Sequence, residues 1–259
     1  KKANLADKLG DLPGFFRWIR GKSNNQNEIY RPSDVVLTID RTVQAFVEDR
    51  LSAVLKRWGS PSGSIIVQDP TTGKIIAMAD YPTFNPNSYR TSEPINFLNG
   101  TVQQIFEPGS SFKPFTMAAG LDSNTITPQT TYDDTGGVEV AGYTIKNFDS
   151  KAHGRQTMTQ VLEKSLNTGV MFVENKVGDE VFRDYVVNLG FGQRTGLDLP
   201  GEISGNITNL YSGRKINYLT ASFGQGIAVT PIQLVNAYSA IANGGKLMRP
   251  YVTAKILTE

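Results

Sequence analysis

Apolar residues in the stretch 42–58 recur at Val43, Phe46, Val47, Leu51, Val54 and Leu55, the spacing of one helix face. That pattern predicts an amphipathic helix. Just upstream, residues 35–40 are apolar and β-branched, which predicts a strand. Residues 64–68 and 74–79 flank Asp69-Pro70-Thr71-Thr72-Gly73, a turn-rich link that predicts a hairpin. Polar, proline-punctuated stretches at 81–94 and 122–156 predict loops around a cleft. Residues 157–164 form an amphipathic stretch, a second helical pattern begins near Thr168, and residues 179–189 predict a helix stopped by Gly190. Thr230-Pro231-Ile232-Gln233 has the form of a capping box with proline at the first helical position, and Gly244-Gly245 ends that helix. Helices outnumber strands, in the order strand, helix, hairpin, run of helices. The expectation is an α+β domain with an antiparallel sheet.

Composition narrows this picture. A chain of 259 residues with 39% hydrophobic content can form one large domain or two modest ones. Residues 1–33 read as a linker or the remnant of a preceding domain, and residues 34–259 as the main domain. Lys1, Lys2, Arg17, Arg20 and Lys22 surround Phe15, Phe16, Trp18 and Ile19, so the first segment suits packing on a neighbouring domain or contact with a membrane surface. No run approaches the ~18 apolar residues that a membrane span requires. The start at Lys1 and the lack of a signal peptide suggest an excised fragment. With no cysteine in the sequence, disulfides and thiolate chemistry are excluded. A net charge of +2 without a basic stripe argues against nucleic acid as a partner. The single histidine, His153, sits in a polar stretch and reads as a solvated loop residue.

The candidate chemistry centres on Glu107-Pro108-Gly109-Ser110-Ser111-Phe112-Lys113-Pro114. Pro114 lacks a backbone N–H and fits only the first turn of a helix, which Phe115, Met117, Ala118, Ala119 and Leu121 continue. Ser110 then lies at or just before the helix entrance, with Lys113 about one turn on and on the same face. A partly desolvated lysine favours its neutral form. Such an amine can take the proton from Ser110 as the serine attacks a carbonyl. Amide N–H groups at the helix start suit an oxyanion. The bland alternative is a helix cap beside a solvated lysine. A second Ser-x-x-Lys, Ser212-Gly213-Arg214-Lys215, has a polar setting without an apolar helix behind it and reads as a decoy loop.

Ser165-Leu166-Asn167 lies between two helical patterns, where its hydroxyl could relay a proton and its amide could hold a peptide carbonyl. Ser23-Asn24-Asn25 and Ser204-Gly205-Asn206 are rival copies, in a polar tail and a glycine-rich loop. The order of motifs is more specific than any one of them. Residues 107–114, then 142–147 (Gly-Tyr-Thr-Ile-Lys-Asn), then 164–169 (Lys-Ser-Leu-Asn-Thr-Gly), with 190–202 and 221–233, resemble a class B penicillin-binding protein. The resemblance runs from about Asp34 to the last residue.

It implies a serine β-lactamase/penicillin-binding-protein-like transpeptidase fold, in which an antiparallel five-stranded sheet adjoins a helical subdomain. It also implies that the C-terminal strands of that sheet, and the Lys-Thr/Ser-Gly motif on one of them, lie beyond Glu259. Arg194-Thr195-Gly196 is a near match but falls upstream of the place where the family keeps that motif. A hairpin with open edges is marginal alone, so the chain as given is expected to be poorly stable. The family roles fall on Ser110 as nucleophile, Lys113 as base, and Ser165 and Asn167 as proton relay and substrate contact. Thr168, Gly224 and Gln225 are expected to join Ser165 and Asn167 in substrate binding, and Tyr132, Tyr143 and Phe148 either line a peptide groove or anchor loops. The implied activity is cross-linking of peptidoglycan stem peptides ending in D-Ala-D-Ala, without metal or organic cofactor. β-Lactams would be covalent inhibitors and wall-synthesis proteins would be partners. The implied location is the extracytoplasmic face of the bacterial cytoplasmic membrane, with an N-terminal anchor outside this chain. A D,D-carboxypeptidase or β-lactamase-like hydrolase, with Glu163 as a candidate base, and a non-catalytic penicillin sensor stay open as alternatives.

Overall fold

The computed structural model describes residues 33–258. The basic aromatic segment at the start of the chain and the rival Ser23-Asn24-Asn25 lie outside the described residues. The elements run β1 (Ser33–Leu37), α1 (Arg41–Trp58), β2 (Gly63–Gln68), β3 (Ile75–Tyr81), α2 (Gly100–Gln103), α3 (Lys113–Asp122), β4 (Thr131–Asp134), β5 (Gly137–Val140), β6 (Tyr143–Lys146) and β7 (Gly154–Thr157). They continue with α4 (Met158–Glu163), α5 (Asn167–Val177), α6 (Asp179–Asn188), α7 (Lys215–Ala221), α8 (Pro231–Ala242) and β8 (Thr253–Thr258). The architecture is α+β, with antiparallel ladders beside a helical body.

Local chemistry explains the best-defined ends. Asp40 caps α1 by accepting from Thr42 N–H (2.8 Å) and Val43 N–H (3.0 Å), and Gly59 closes the helix in the left-handed conformation. At the start of α8, Thr230 and Gln233 form the expected reciprocal capping box, with Pro231 in the first turn. The apolar stripe of α1 is wider than its packed face. Val47, Leu51 and Leu55 are buried, whereas Phe46 and Val54 are exposed.

The β2–β3 hairpin forms as expected and is covered on both faces. Val47, Leu51 and Leu55 of α1 pack on Ala77 and Ala79, with Val43, Ile65 and Val67 alongside. Ile232 and Val235 of α8 and Val102 of α2 pack with Ile66 and Met78. This double cover corrects the expectation of a bare, marginal hairpin, because apolar burial on each face supplies what two strands alone lack. A single five-stranded sheet is not formed among the described residues. Their strands make four antiparallel pairs, β1–β8, β2–β3, β4–β7 and β5–β6, with one bridge from Lys74 to Tyr251 linking the first two. Four of these strands lie in the stretch 122–156 and its border, where the sequence predicts only loops.

The main core lies in the helical body. Phe112 and Phe115 pack with Phe191, their ring centroids 5.0–5.3 Å apart, and Val161, Val170, Val173, Phe182 and Leu219 surround them within the same cluster. Tilted aromatic contacts of this kind add ~1 kcal/mol each beyond area burial. They set the position of α3, on which the candidate chemistry stands.

Candidate active site

Ser110 lies in a short 3₁₀ turn, Gly109–Phe112, that runs directly into α3, and Pro114 occupies the first turn of that helix. The side chains of this segment alternate sharply in environment. Ser110 and Ser111 are exposed, Phe112 is fully buried, and Lys113 retains only 2% of its accessible surface. Anchoring Phe112 in the core therefore draws Lys113 inward while Ser110 stays reachable.

Lys113 Nζ donates to Ser165 Oγ at 2.9 Å, and it makes a short hydrogen bond to the Ser165 carbonyl. No carboxylate forms an ion pair with Lys113 among the described residues. Burial therefore acts unopposed and pulls its pKa down to about 8. An amine with that value is partly neutral near neutral pH and can accept a proton.

Ser165 sits between α4 and α5 with φ +54°, a left-handed conformation unusual for a residue with a side chain. Holding it there costs on the order of 1 kcal/mol. The bend sends Leu166 into the core while both oxygens of Ser165 meet Lys113. Asn167, the first residue of α5, donates from Nδ2 to the Lys146 carbonyl at 2.9 Å and is half-buried. Two sequence-distant motifs thus meet, one at the start of α3 and one on the α4–α5 bend.

The segment containing Gly224 braces the serine turn. Gly109 N–H donates to Gly224 O at 3.0 Å, and Gly226 N–H donates to Glu107 Oε1 at 2.9 Å. Gly224 has φ +77°, and a side chain there would run into the backbone of Gly109, so only glycine allows this approach. Thr116 Oγ1 donates to Ser222 O at 2.7 Å, and Tyr238 OH donates to Ser111 O at 2.6 Å. Thr116 and Tyr238 carry no sequence signal of this part, whereas Glu107 is at least inside the recognised segment.

The structure places the neighbouring residues in different surroundings. Thr168 is buried and spends its hydroxyl on Asp134, Asn147 and Tyr132, so it does not offer that group to a substrate. Gly224 is buried against the serine turn and is a structural contact, while Gln225 beside it is exposed. Tyr132 is a buried anchor stacked on Phe172, whereas Tyr143 and Phe148 are exposed, Phe148 at 98%.

The rival motifs are engaged elsewhere. Lys215 does begin an apolar helix, α7, with Tyr218, Leu219 and Ala221 buried, contrary to the decoy-loop expectation. Its Nζ nevertheless binds Glu174 at 2.7 Å and Asp179 at 2.5 Å, and Ser212 Oγ donates to Asn209 O. Thr195 and Gly196 bind the Glu202 carboxylate through backbone N–H groups and the Thr195 hydroxyl. In the third rival, Asn206 Oδ1 accepts from Thr208. Glu163 is exposed at the end of α4. His153 pairs with Asp149 at 3.0 Å in its loop. A cavity of about 180 Å³ lined by Gly190, Arg194, Gln233 and Arg249 contains none of the candidate residues.

Residues 63–258 match the family model described as the penicillin binding protein transpeptidase domain. The chain is 36% identical over 222 residues to stage V sporulation protein D of Bacillus subtilis, a match covering 85% of this chain and 34% of that protein. It is 32% identical over 223 residues to peptidoglycan D,D-transpeptidase FtsI of Escherichia coli, covering 86% and 37% respectively. The chain spans about a third of the length of these curated relatives. Among solved structures, it superposes on the TP domain of Burkholderia pseudomallei penicillin-binding protein 3 with a TM-score of 0.75 at 28% identity, covering 85% of this chain and 61% of that one. A peptidoglycan glycosyltransferase from Burkholderia ambifaria gives a TM-score of 0.76 at 29% identity, with coverage of 85% and 65%.

Proposed function

The chain belongs to the penicillin-binding protein transpeptidase family, and on that premise we propose that it forms a serine acyl-enzyme in peptidoglycan D,D-transpeptidation. The observation that carries this reading is Lys113: a buried amine without a carboxylate partner, bonded to Ser165 and one turn from an exposed serine. Ser110 Oγ attacks the penultimate D-Ala carbonyl of a stem peptide while its proton passes to neutral Lys113. The tetrahedral intermediate collapses as the C–N bond to the terminal D-Ala breaks. Ser165, bridging to Lys113, returns the proton to the leaving amine. An amine of a second stem peptide then attacks the ester, releases Ser110 and forms the cross-link. The Asn167 amide holds the donor peptide. Its Nδ2 group is oriented by the Lys146 carbonyl, and its oxygen remains available to a ligand.

β-Lactams acylate the same serine as substrate mimics. The wall peptides lie outside the cytoplasmic membrane, so the domain works on that face, alongside other wall-building proteins. Among the described residues no helix is long and apolar enough to cross a membrane.

The test is to incubate the intact protein with a labelled penicillin and map the adduct by peptide mass spectrometry. The label is expected on Ser110 and absent from Ser110→Ala, while Ser212→Ala labels normally. An adduct on Ser165 or Ser212 would overturn the assignment.

A further inference from the structure

Behind the α4–α5 bend lies a buried polar network that the proposed chemistry does not itself use. Asp134, at the end of β4, is 2% exposed and has no cationic partner among the described residues. Its carboxylate accepts from Gly136 N–H (3.0 Å), His153 N–H (3.0 Å), Asn147 Nδ2 (2.8 and 3.0 Å) and Thr168 Oγ1 (2.8 Å). Burial, the largest single influence, raises its pKa. The hydrogen bonds from Gly136, Thr168, His153 and Asn147 together outweigh burial and leave the pKa lowered, so Asp134 stays ionised at neutral pH.

An ionised carboxylate can only accept hydrogen bonds. It therefore locks the Asn147 amide with Nδ2 toward Asp134 and Oδ1 away from it. That oxygen accepts from Thr168 N–H at 3.2 Å and lies 3.1 Å from Thr168 Oγ1. The contact matters because α5 has no side-chain cap of its own: Leu166 precedes it. One of its unpaired first-turn N–H groups is thus satisfied by a residue from another element. The next residue back along the chain, Lys146, supplies the carbonyl that orients Asn167. The start of α5 is held at two consecutive residues by Lys146, the last residue of β6, and Asn147 just after it. An anion beside a helix N-terminus is also electrostatically favoured.

We infer that Asp134 is a positioning residue for acylation: through Asn147 and Thr168 it holds the first turn of α5 so that Ser165 meets Lys113 and Asn167 meets substrate. The left-handed bend at Ser165 needs such support, since strained backbone persists only where its surroundings over-determine it. Asp134 touches neither Ser110 nor Lys113 in any hydrogen bond, so its effect passes through the bend. The inference rests on the acyl-enzyme reading above.

The experiment compares wild type, Asp134→Asn, Thr168→Val and Thr168→Ser in the intact protein, using rapid-quench kinetics with a labelled penicillin. These kinetics separate the acylation rate constant at saturation from the dissociation constant of the initial complex. Misplacement of reacting groups by an ångström can cost ~100-fold in rate. Asp134→Asn is expected to lower the saturating rate by about that much, and Thr168→Val by about tenfold, with a smaller change in the dissociation constant through Asn167. Thr168→Ser keeps the hydroxyl and is expected to recover the rate to within about threefold of wild type. If Asp134→Asn does not fold, the Thr168 pair carries the test. A folded Asp134→Asn or Thr168→Val protein that acylates at the wild-type rate would overturn the inference. A serine variant as slow as the valine variant would do the same, because serine keeps the hydroxyl through which the effect is expected to pass. Failure of wild type to label at Ser110 would instead bring down the acyl-enzyme reading, and this inference with it.

Discussion

Lys113 and Lys215 stand in matching local positions: each follows a serine by three residues and each is the first residue of a helix. Their surroundings differ in the charge they meet. Lys113 is almost fully buried and contacts only the two oxygens of Ser165, both uncharged. The side chain of Lys215 keeps 40% of its exposure and lies against two carboxylates, Glu174 and Asp179. Burial alone pulls Lys113 down to about 8. Burial also pulls on Lys215, but the bonds to Asp179 and Glu174 outweigh it and the pKa is raised. Contact with carboxylates is what separates the lysine whose pKa is raised from the one whose pKa is lowered. Within one fold, an identical four-residue pattern yields both.

The largest expected effect comes from keeping the charge and removing the basicity. Arginine does not deprotonate in proteins. Lys113→Arg should therefore slow penicillin acylation by at least ~100-fold, while Lys215→Arg leaves it within about threefold. Near-equal rates for the two variants would erase the distinction, because they would show that acylation does not draw on a neutral amine at position 113.

A smaller effect sharpens the same contrast through pH. With a pKa of about 8, the neutral fraction of Lys113 grows roughly tenfold between pH 7 and pH 9. The acylation rate should rise by about that factor, with a midpoint near 8, and Lys215→Arg should leave the midpoint in place. A rate that is flat from pH 7 to 9 would assign the base to another group.

The least effect on acylation, expected to be none, belongs to Glu174, and its signature is stability. Glu174 is fully buried, and burial, its largest influence, raises its pKa to about 7 despite the bond from Lys215. A folded-state pKa above the unfolded value of 4.5 means that the folded protein binds more protons between these values. Its contribution is fully present below pH 4.5 and is lost as pH rises through 7, a change on the order of 3 kcal/mol. Glu174→Gln cannot titrate and should remove this slope from denaturant unfolding measured at pH 5 and pH 7.5. An unchanged slope in the variant would mean that the Lys215 pair holds Glu174 ionised throughout.

Much of the fold was legible where local chemistry and periodicity agree. The helix over 42–58, the hairpin around Asp69–Gly73 and the capping box at Thr230 need only neighbours in sequence. The strands β4 to β7 were not legible, being four residues each and largely polar. Strands that short are defined by their partners rather than by alternation. Strand β8 was missed for a related reason: its partner β1 lies at the far end of the chain.

By itself, the sequence determined the order of the motifs and the identity of the four candidate residues, because a serine, a lysine and an amide are chemical types that no fold alters. Tertiary structure alone decided how the lysine of each Ser-x-x-Lys is partnered, and that the Thr168 hydroxyl meets Asp134. Both outcomes depend on desolvation and on charges brought together from distant segments: Lys113 with Ser165, Lys215 with Glu174, Thr168 with Asp134. A pKa and a hydrogen-bond partner are properties of surroundings, and in a folded chain those surroundings come from residues far apart in sequence.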